Sequence, residues 1–516
     1  MHAFEAILAV LAIAVIISAG AQRLRLPYPP LLAVGGAALA FFPWAPELRL
    51  DPDLALALFI APVLLDAAYD SSPRDLKRNA LPIAFLTLAA VGVTVVAVAF
   101  AARWLRPDLP WAAAIALGAI VAPPDAAAAT SVLKATPVPQ RLRTILEGES
   151  LFNDASSLLI YRFAVAAVGG GLAWGWPLVA TMAWTLLGSL AFGVVAAALL
   201  GRVTSRVREA PTAILLQFIG AFGVWIAAEK IGVSPIIAIV VFGMVAARVS
   251  ARRVEATVRA PSYAVWETVV FGLNAVAFAL VGLQVGPLWR ELSAGEQERY
   301  AVFALAILAV VVIARLVWVM TYHFVVQAKN RWFGAVLPTG EQSPEAQHGL
   351  IVAWAGMRGL VSLAAAYALP AAFPNRDLVQ LSAFVVVMGT LVVQGLTLGP
   401  LVRLVKTRDD DILPSEIRTA RRAIAEAALA DLAPRRSAAA KRLRADYTER
   451  LAHVTAETQG DGRAELEIDR LTAEVLVAKR DALSRLRTNG EISDMAYFQI
   501  EEELDRHDLA LTPVVR

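Results

Sequence analysis

The chain has no cysteine, and its 516 residues include only five histidines. The first absence removes disulfides, thiolate zinc sites, iron–sulfur ligation and cysteine nucleophiles. The histidines, His2, His323, His348, His453 and His507, are scattered, which argues against a histidine-rich metal centre. Charge is scarce as well. Asp, Glu, Lys and Arg make up 18% of the residues, where a soluble domain carries ~25%. Apolar residues are in excess, at 58% with a mean hydropathy of +0.61. That balance excludes an ordinary cytosolic enzyme and a disordered scaffold, and it demands membrane spans. The formal net charge of +3 is close to neutral for this length and implies no nucleic-acid partner.

The few charges are unevenly placed. Of the 91 charged side chains, 42 fall in the last 114 residues. Residues 1–402 are therefore expected to form a membrane domain, and 403–516 a water-soluble helical tail. In the tail, Ser415 is a candidate N-cap for a helix that Pro434 stops, and Gly460 to Gly462 reads as a loop.

Thirteen apolar runs of about 20 residues precede the tail, the length that crosses ~30 Å of hydrocarbon. The fold class expected is all-α, a polytopic protein in a lipid bilayer. The first run superficially resembles a signal peptide but lacks a basic leading segment, so it reads as a retained helix. Thirteen spans put the termini on opposite sides. With the tail in the cytoplasm, inside loops carry 17 Lys/Arg, Arg23 and Arg25 among them, and outside loops seven, Arg49 among them. The positive-inside rule then favours an outside N-terminus and a cytoplasmic tail.

Four ionisable residues sit near mid-span by helix arithmetic: Asp66, Asp125, Asp154 and Arg358. A charge at that depth costs at least ~2.5 kcal/mol on insertion scales, so each is a functional hypothesis. Asp125 follows Pro123 and Pro124, and two consecutive prolines cannot continue a helical ladder. The fifth span must break there and free backbone carbonyls. Irregular backbone is tolerated at this depth only in a cavity or against protein. A carboxylate beside freed carbonyls suits a small hard cation. In the twelfth span, Gly356 and Gly359 flank Met357 and Arg358 and weaken that helix too. Two interrupted helices, one in each half, point to inverted repeats with a transport site between them.

The sixth span carries Ser150, Asn153, Asp154 and Ser157 at i, i+3, i+4, i+7, one polar stripe able to face the broken fifth span. Glu149 lies about 100° off the stripe and is expected to pair with Arg358, because a buried arginine needs a carboxylate. Two carboxylates in one cavity do not both carry charge cheaply. A proton and a cation can then compete for one of them, the minimal chemistry of exchange. Arg315, His323 and Glu267 carry no motif that separates a functional role from a packing one.

The run Glu147-Gly148-Glu149-Ser150-Leu151-Phe152-Asn153-Asp154 resembles the signature of the monovalent cation:proton antiporter-1 family, the sodium/proton exchangers. So do Ala61–Tyr69, Leu273–Gln284 and Gly356–Ser362. The resemblance covers residues 1–402. It implies a homodimer of 13-helix subunits without a cofactor. It implies a moving core, about 79–168 and 300–402, beside a scaffold and dimer interface, about 4–69 and 174–285. It makes Asp154 the principal ion- and proton-binding carboxylate and Asp125 the second, with Ser150 as a ligand oxygen; these three would hold the transported Na+. Asp66 would approach through water, Asn153 would hold the broken fifth helix, and Glu149 would pair with Arg358. The family commonly has Thr-Asp-Pro in the fifth span, whereas this chain has Pro124-Asp125-Ala126. The threonine hydroxyl is gone, though the carbonyl of Pro124 can still coordinate. With Asn153 where electrogenic relatives carry an aspartate, electroneutral one-for-one exchange is expected.

Three other readings stand beside a Na+ (or Li+) antiporter. One is a K+/H+ antiporter of the same fold, which sequence does not separate. A cation channel would more often show rings of like residues in an oligomer. A membrane-embedded enzyme would need a nucleophile with its base or a metal motif, and the chain has no Gly-x-Ser-x-Gly and no His-Glu-x-x-His.

Overall fold

The computed structural model describes residues 2–24, 26–42, 52–134, 138–169, 176–290, 292–333, 346–405 and 412–459, with scattered positions between 475 and 504. Arg25, Arg49 and the expected loop at 460–462 lie outside the described residues. Among the described residues every regular element is a helix. In hydrocarbon a helix satisfies its backbone groups within one segment, so an apolar chain of this composition has little alternative. The chain divides into two compact units, Met1–Asp409 and Asp410–Arg516.

The first unit runs α1 (His2–Leu24), α2 (Tyr28–Leu39), α3 (52–70), α4 (Ala80–Leu105), α5 (Trp111–Val121), α6 (Ala126–Lys134), α7 (Gln140–Val168), α8 (Trp176–Thr204), α9 (Ala210–Lys230), α10 (Pro235–Arg253) and α11 (Ala256–Leu283). It continues through α12 (Ala294–Phe333), α13 (Ala346–Trp354), α14 (Leu360–Tyr367) and α15 (Arg376–Val405). Among the described residues, seven helices are long and apolar enough to cross a membrane. Shorter apolar helices lie between them, including Tyr28–Leu39 and Trp111–Val121. The chain is thus a polytopic helical membrane protein. The expected fifth span is the pair α5 and α6, separated by 122–125, and the expected twelfth is α13 and α14, separated by 355–359. Among the described residues, three helices carry a π turn: α3 at Leu56–Ile60, α4 at Phe85–Ala90 and α15 at Thr390–Gln394.

Apolar packing forms two large clusters. One joins α4, α5, α6 and α7 to α12, α13, α14 and α15 and continues onto α1, α2 and α11 through Ala14, Leu32, Ala33 and Phe278, with Leu117, Ile120, Ile307, Ile351 and Leu363 among its most buried members. The other joins α3, α8, α9 and α10 around Ala221, Ala238 and Ile239. Helices α2 and α11 cross at backbone contact, where a Cβ on Gly36 would overlap Ala279 and one on Gly282 would overlap Ala33. Small residues allow this approach, which supplies packing where hydrophobic burial offers none.

In the second unit α16 (Ile412–Leu432) and α17 (Ala438–Gln459) pack together across a turn at 433–437. Ala425, Leu432 and Ala440 are buried, and Ser437 Oγ caps α17 by accepting from Ala440 N at 3.1 Å. The N-cap expected at Ser415 is not there. The helix begins three residues earlier, with Pro414 in its first turn, where a missing N–H costs nothing. Ser415 lies inside it, and its carbonyl accepts from Thr419 Oγ1.

Candidate functional site

The two interruptions meet. Residues 122–125 cannot be helical because Pro123 and Pro124 bring no N–H. Across from them, the N–H of Asp125 donates to the carbonyl of Met357 at 2.6 Å. Donors reach the carbonyls of Val121, Ala122 and Pro124. Arg358 Nε donates to Val121 O at 3.0 Å, and its Nη2 reaches Ala122 O at 3.5 Å. Asn153 Nδ2 donates to Pro124 O at 2.9 Å. Arg358 also donates from Nη1 to its neighbour's carbonyl at Gly356.

The second interruption is served in the same way by a different arginine. Arg315, on α12, donates from Nε to Ala353 O at 3.2 Å and from Nη2 to Val352 O at 3.1 Å. Each guanidinium therefore covers the C-terminal end of a half-helix, α5 for Arg358 and α13 for Arg315. The negative end of the helix dipole and the unsatisfied carbonyls both favour a cation there.

The expected Glu149–Arg358 ion pair is corrected by this geometry. Glu149 pairs with Arg315, Oε1 to Nη1 at 2.6 Å and Oε2 to Nη2 at 2.9 Å. The premise that a buried arginine needs a carboxylate is too narrow. A guanidinium offers five N–H donors, and Arg358, 0% exposed, spends its own on backbone carbonyls.

Glycine makes the crossing possible. A Cβ on Gly359 would fall inside the Asp125 carboxylate, and one on Gly356 would overlap Arg315. Gly359 is also the residue before α14. The carboxylate of Asp125 thus lies against the positive end of that half-helix.

Asp125 is half-buried; Asp154, Ser150, Asn153 and Ser157 are buried along the expected stripe of α7. Ser157 Oγ donates to Asp154 O at 3.1 Å. Pro124, Asp125, Glu149 and Ser150 line one cleft with Thr130, and Asp154 lies one helical turn beyond Ser150 on α7, outside that lining. Asp66 stands apart from that lining, half-buried on α3. Asp125, Ser150 and the Pro124 carbonyl bring oxygen atoms to this cleft, the donor type a hard monovalent cation takes. Among the described residues no group of three or more His, Asp or Glu side chains could hold a metal.

Sequence reasoning missed three participants. Arg315 carried no motif to separate it from a packing arginine. Thr130 follows the break by five residues and lines the cleft. Tyr28, at the start of α2, lies within electrostatic reach of Asp125 although it is distant in sequence.

A model of the family described as sodium/hydrogen exchanger, transmembrane, matches residues 8–404. The chain belongs to the sodium/hydrogen exchanger family. The exchanger is 29% identical over 526 residues to a Mycobacterium bovis protein named an uncharacterized Na(+)/H(+) exchanger, covering 98% of this chain and 95% of that one. It is 29% identical to the sodium, potassium, lithium and rubidium/H(+) antiporter of Bacillus pumilus, over 84% of this chain and 66% of the other. In fold it is similar to the sodium proton antiporter MjNhaP1 of Methanocaldococcus jannaschii, with a TM-score of 0.60 at 17% identity, over 79% of this chain and 100% of that one. The exchanger is therefore a multi-pass membrane antiporter by family, and the chemistry its site must support is transport, not covalent catalysis.

Proposed function

We propose that the exchanger moves one Na+, with Li+ as the next candidate, against one H+ across the cell membrane. The observation that carries this reading is the convergence of Pro124, Asp125 and Ser150 on one cleft, with Asp154 in electrostatic reach. Asp154 and Asp125 hold either the cation or a proton, Ser150 Oγ and the Pro124 carbonyl complete the ligands, and Asp66 approaches through water. Glu149, Asn153 and Arg358 support the site without binding the ion. Competition for one carboxylate is enough: the site crosses loaded with cation or with proton.

The crossing is an elevator movement in a 13-span subunit. The helices α4–α7 and α12–α15 carry both breaks and are the body that moves. The rest is scaffold, and a homodimer forms on it. The N-terminus lies outside and the tail in the cytoplasm, in keeping with the arginine-rich loops. Potassium/proton exchange is the second reading, favoured by the name of the Bacillus pumilus relative, which includes potassium.

The test is exchange in proteoliposomes with an internal pH dye, adding Na+, Li+ and K+ in turn to the wild type and to Asp154→Asn. A cation-dependent pH change that disappears in the variant is expected, and the active cation names the substrate. No pH change with any of the three, or an unaffected variant, would end the claim for Asp154.

A further inference from the structure

We infer that Thr390 is a positioning residue for the cation site, holding the Met357–Arg358 peptide in register with the Asp125 backbone. The inference rests on the antiport reading above. The peptide between Met357 and Arg358 has two polar ends, one bonded to the first break and the other to α15. Its C=O accepts from Asp125 N at 2.6 Å. Its N–H donates to Thr390 Oγ1, on α15, at 3.0 Å. Thr390 is itself fixed, because its hydroxyl donates to Val386 O at 2.8 Å and leaves a lone pair for Arg358.

Water offers no substitute. Met357, Arg358 and Thr390 are each 0% exposed. Thr390 also opens the π turn of α15. Without the hydroxyl the N–H would be buried and unpaired, and the peptide plane would be held from one end only. The Asp125 backbone is bonded to the other end, and the carboxylate hangs from it. A tilt of that plane therefore displaces a ligand of the ion. Thr390 touches neither the ion nor its carboxylates, so its effect passes through Met357.

The experiment compares wild type, Thr390→Val and Thr390→Ser in proteoliposomes, reading initial rates across a Na+ series. Valine keeps the shape and removes the hydroxyl, and serine keeps the hydroxyl. The expected result is a rise in KM for Na+ of about tenfold in Thr390→Val, the equivalent of one hydrogen bond. Vmax should stay within about twofold, and Thr390→Ser should return KM to within about threefold of wild type. An unchanged KM in Thr390→Val overturns the inference. So does a KM defect that serine does not rescue, or a loss of Vmax at unchanged KM, since either marks a packing role. Should valine fail to yield folded protein, Na+-dependent thermal stabilisation of purified Thr390→Ala and Thr390→Ser decides the matter, with weakened Na+ dependence expected in alanine alone. A wild type that exchanges no cation removes the antiport reading and this inference with it. A wild type that exchanges beside an unshifted valine variant removes this inference alone.

Discussion

Glu149 and Arg315 face each other across α7 and α12 in a bidentate ion pair, with side-chain exposures of 2% and 3%. Burying two charges is costly, and breaking such a pair costs more than it was worth, about 3–5 kcal/mol, because one charge is left alone. The two ends are not equivalent. Arg315→Gln strands the Glu149 carboxylate and also uncovers the carbonyls of Val352 and Ala353. Glu149→Gln leaves Arg315 with those carbonyls and an amide oxygen. Thermal unfolding of the purified protein should therefore place Arg315→Gln well below Glu149→Gln, and Glu149→Gln below wild type. Equal losses would mean the carbonyl contacts of Arg315 contribute nothing.

Asn153 ties α7 to the first break through one hydrogen bond, from Nδ2 to Pro124 O. Its residue exposure is 0%, so no water replaces the donor. Asn153→Ala leaves a buried carbonyl unpaired, at about 1–3 kcal/mol. Because that carbonyl is also a proposed ligand, the same variant should weaken Na+-dependent exchange as well as lower the unfolding midpoint. A variant of normal stability and normal exchange would show that the Pro124 carbonyl needs no anchor.

What the sequence disclosed, and what it hid, follows from where each signal resides. Pro123-Pro124 announces a break because a missing N–H is a property of the residue itself. The stripe Ser150, Asn153, Asp154 and Ser157 is visible because helical period is local. The choice between Arg315 and Arg358 as partner of Glu149 is tertiary. Both are arginines in apolar surroundings, and only the fold decides which one the freed carbonyls of α5 take. Thr390 is hidden for a related reason. A hydroxyl in an apolar span ordinarily returns its proton to its own helix, and Thr390 does so at Val386; its second contact lies 32 residues away. The cap expected at Ser415 failed because Pro414 fits inside a first turn as readily as before one.

Gly359 admits no side chain. The position its Cβ would occupy belongs to the Asp125 carboxylate. Gly359→Ala must therefore push Asp125 aside or open the contact between the two breaks. Exchange should be abolished for every cation, as with Asp154→Asn, even if the protein folds. Measuring Na+-dependent proton movement beside the unfolding midpoint separates the two outcomes. A Gly359→Ala protein that exchanges at the wild-type rate would require the Asp125 carboxylate to work from a different place than this one.

One-for-one exchange has a consequence that membrane potential exposes. An elementary charge crossing the membrane is worth about 2.3 kcal/mol per 100 mV, roughly fifty-fold in an equilibrium ratio. If Asn153 brings no ionisable carboxylate to the site, one cation moving in one direction is matched by one proton moving in the other. No net charge crosses, and potential drops out of the balance. Proteoliposomes clamped with valinomycin and graded K+ should then show zero net proton movement wherever the Na+ and H+ concentration ratios across the membrane are equal, at every potential applied. A balance point that moves with potential would require an additional charge to travel with the proton. The half-buried Asp66 on α3 is the first carboxylate to examine for it, by repeating the measurement on Asp66→Asn.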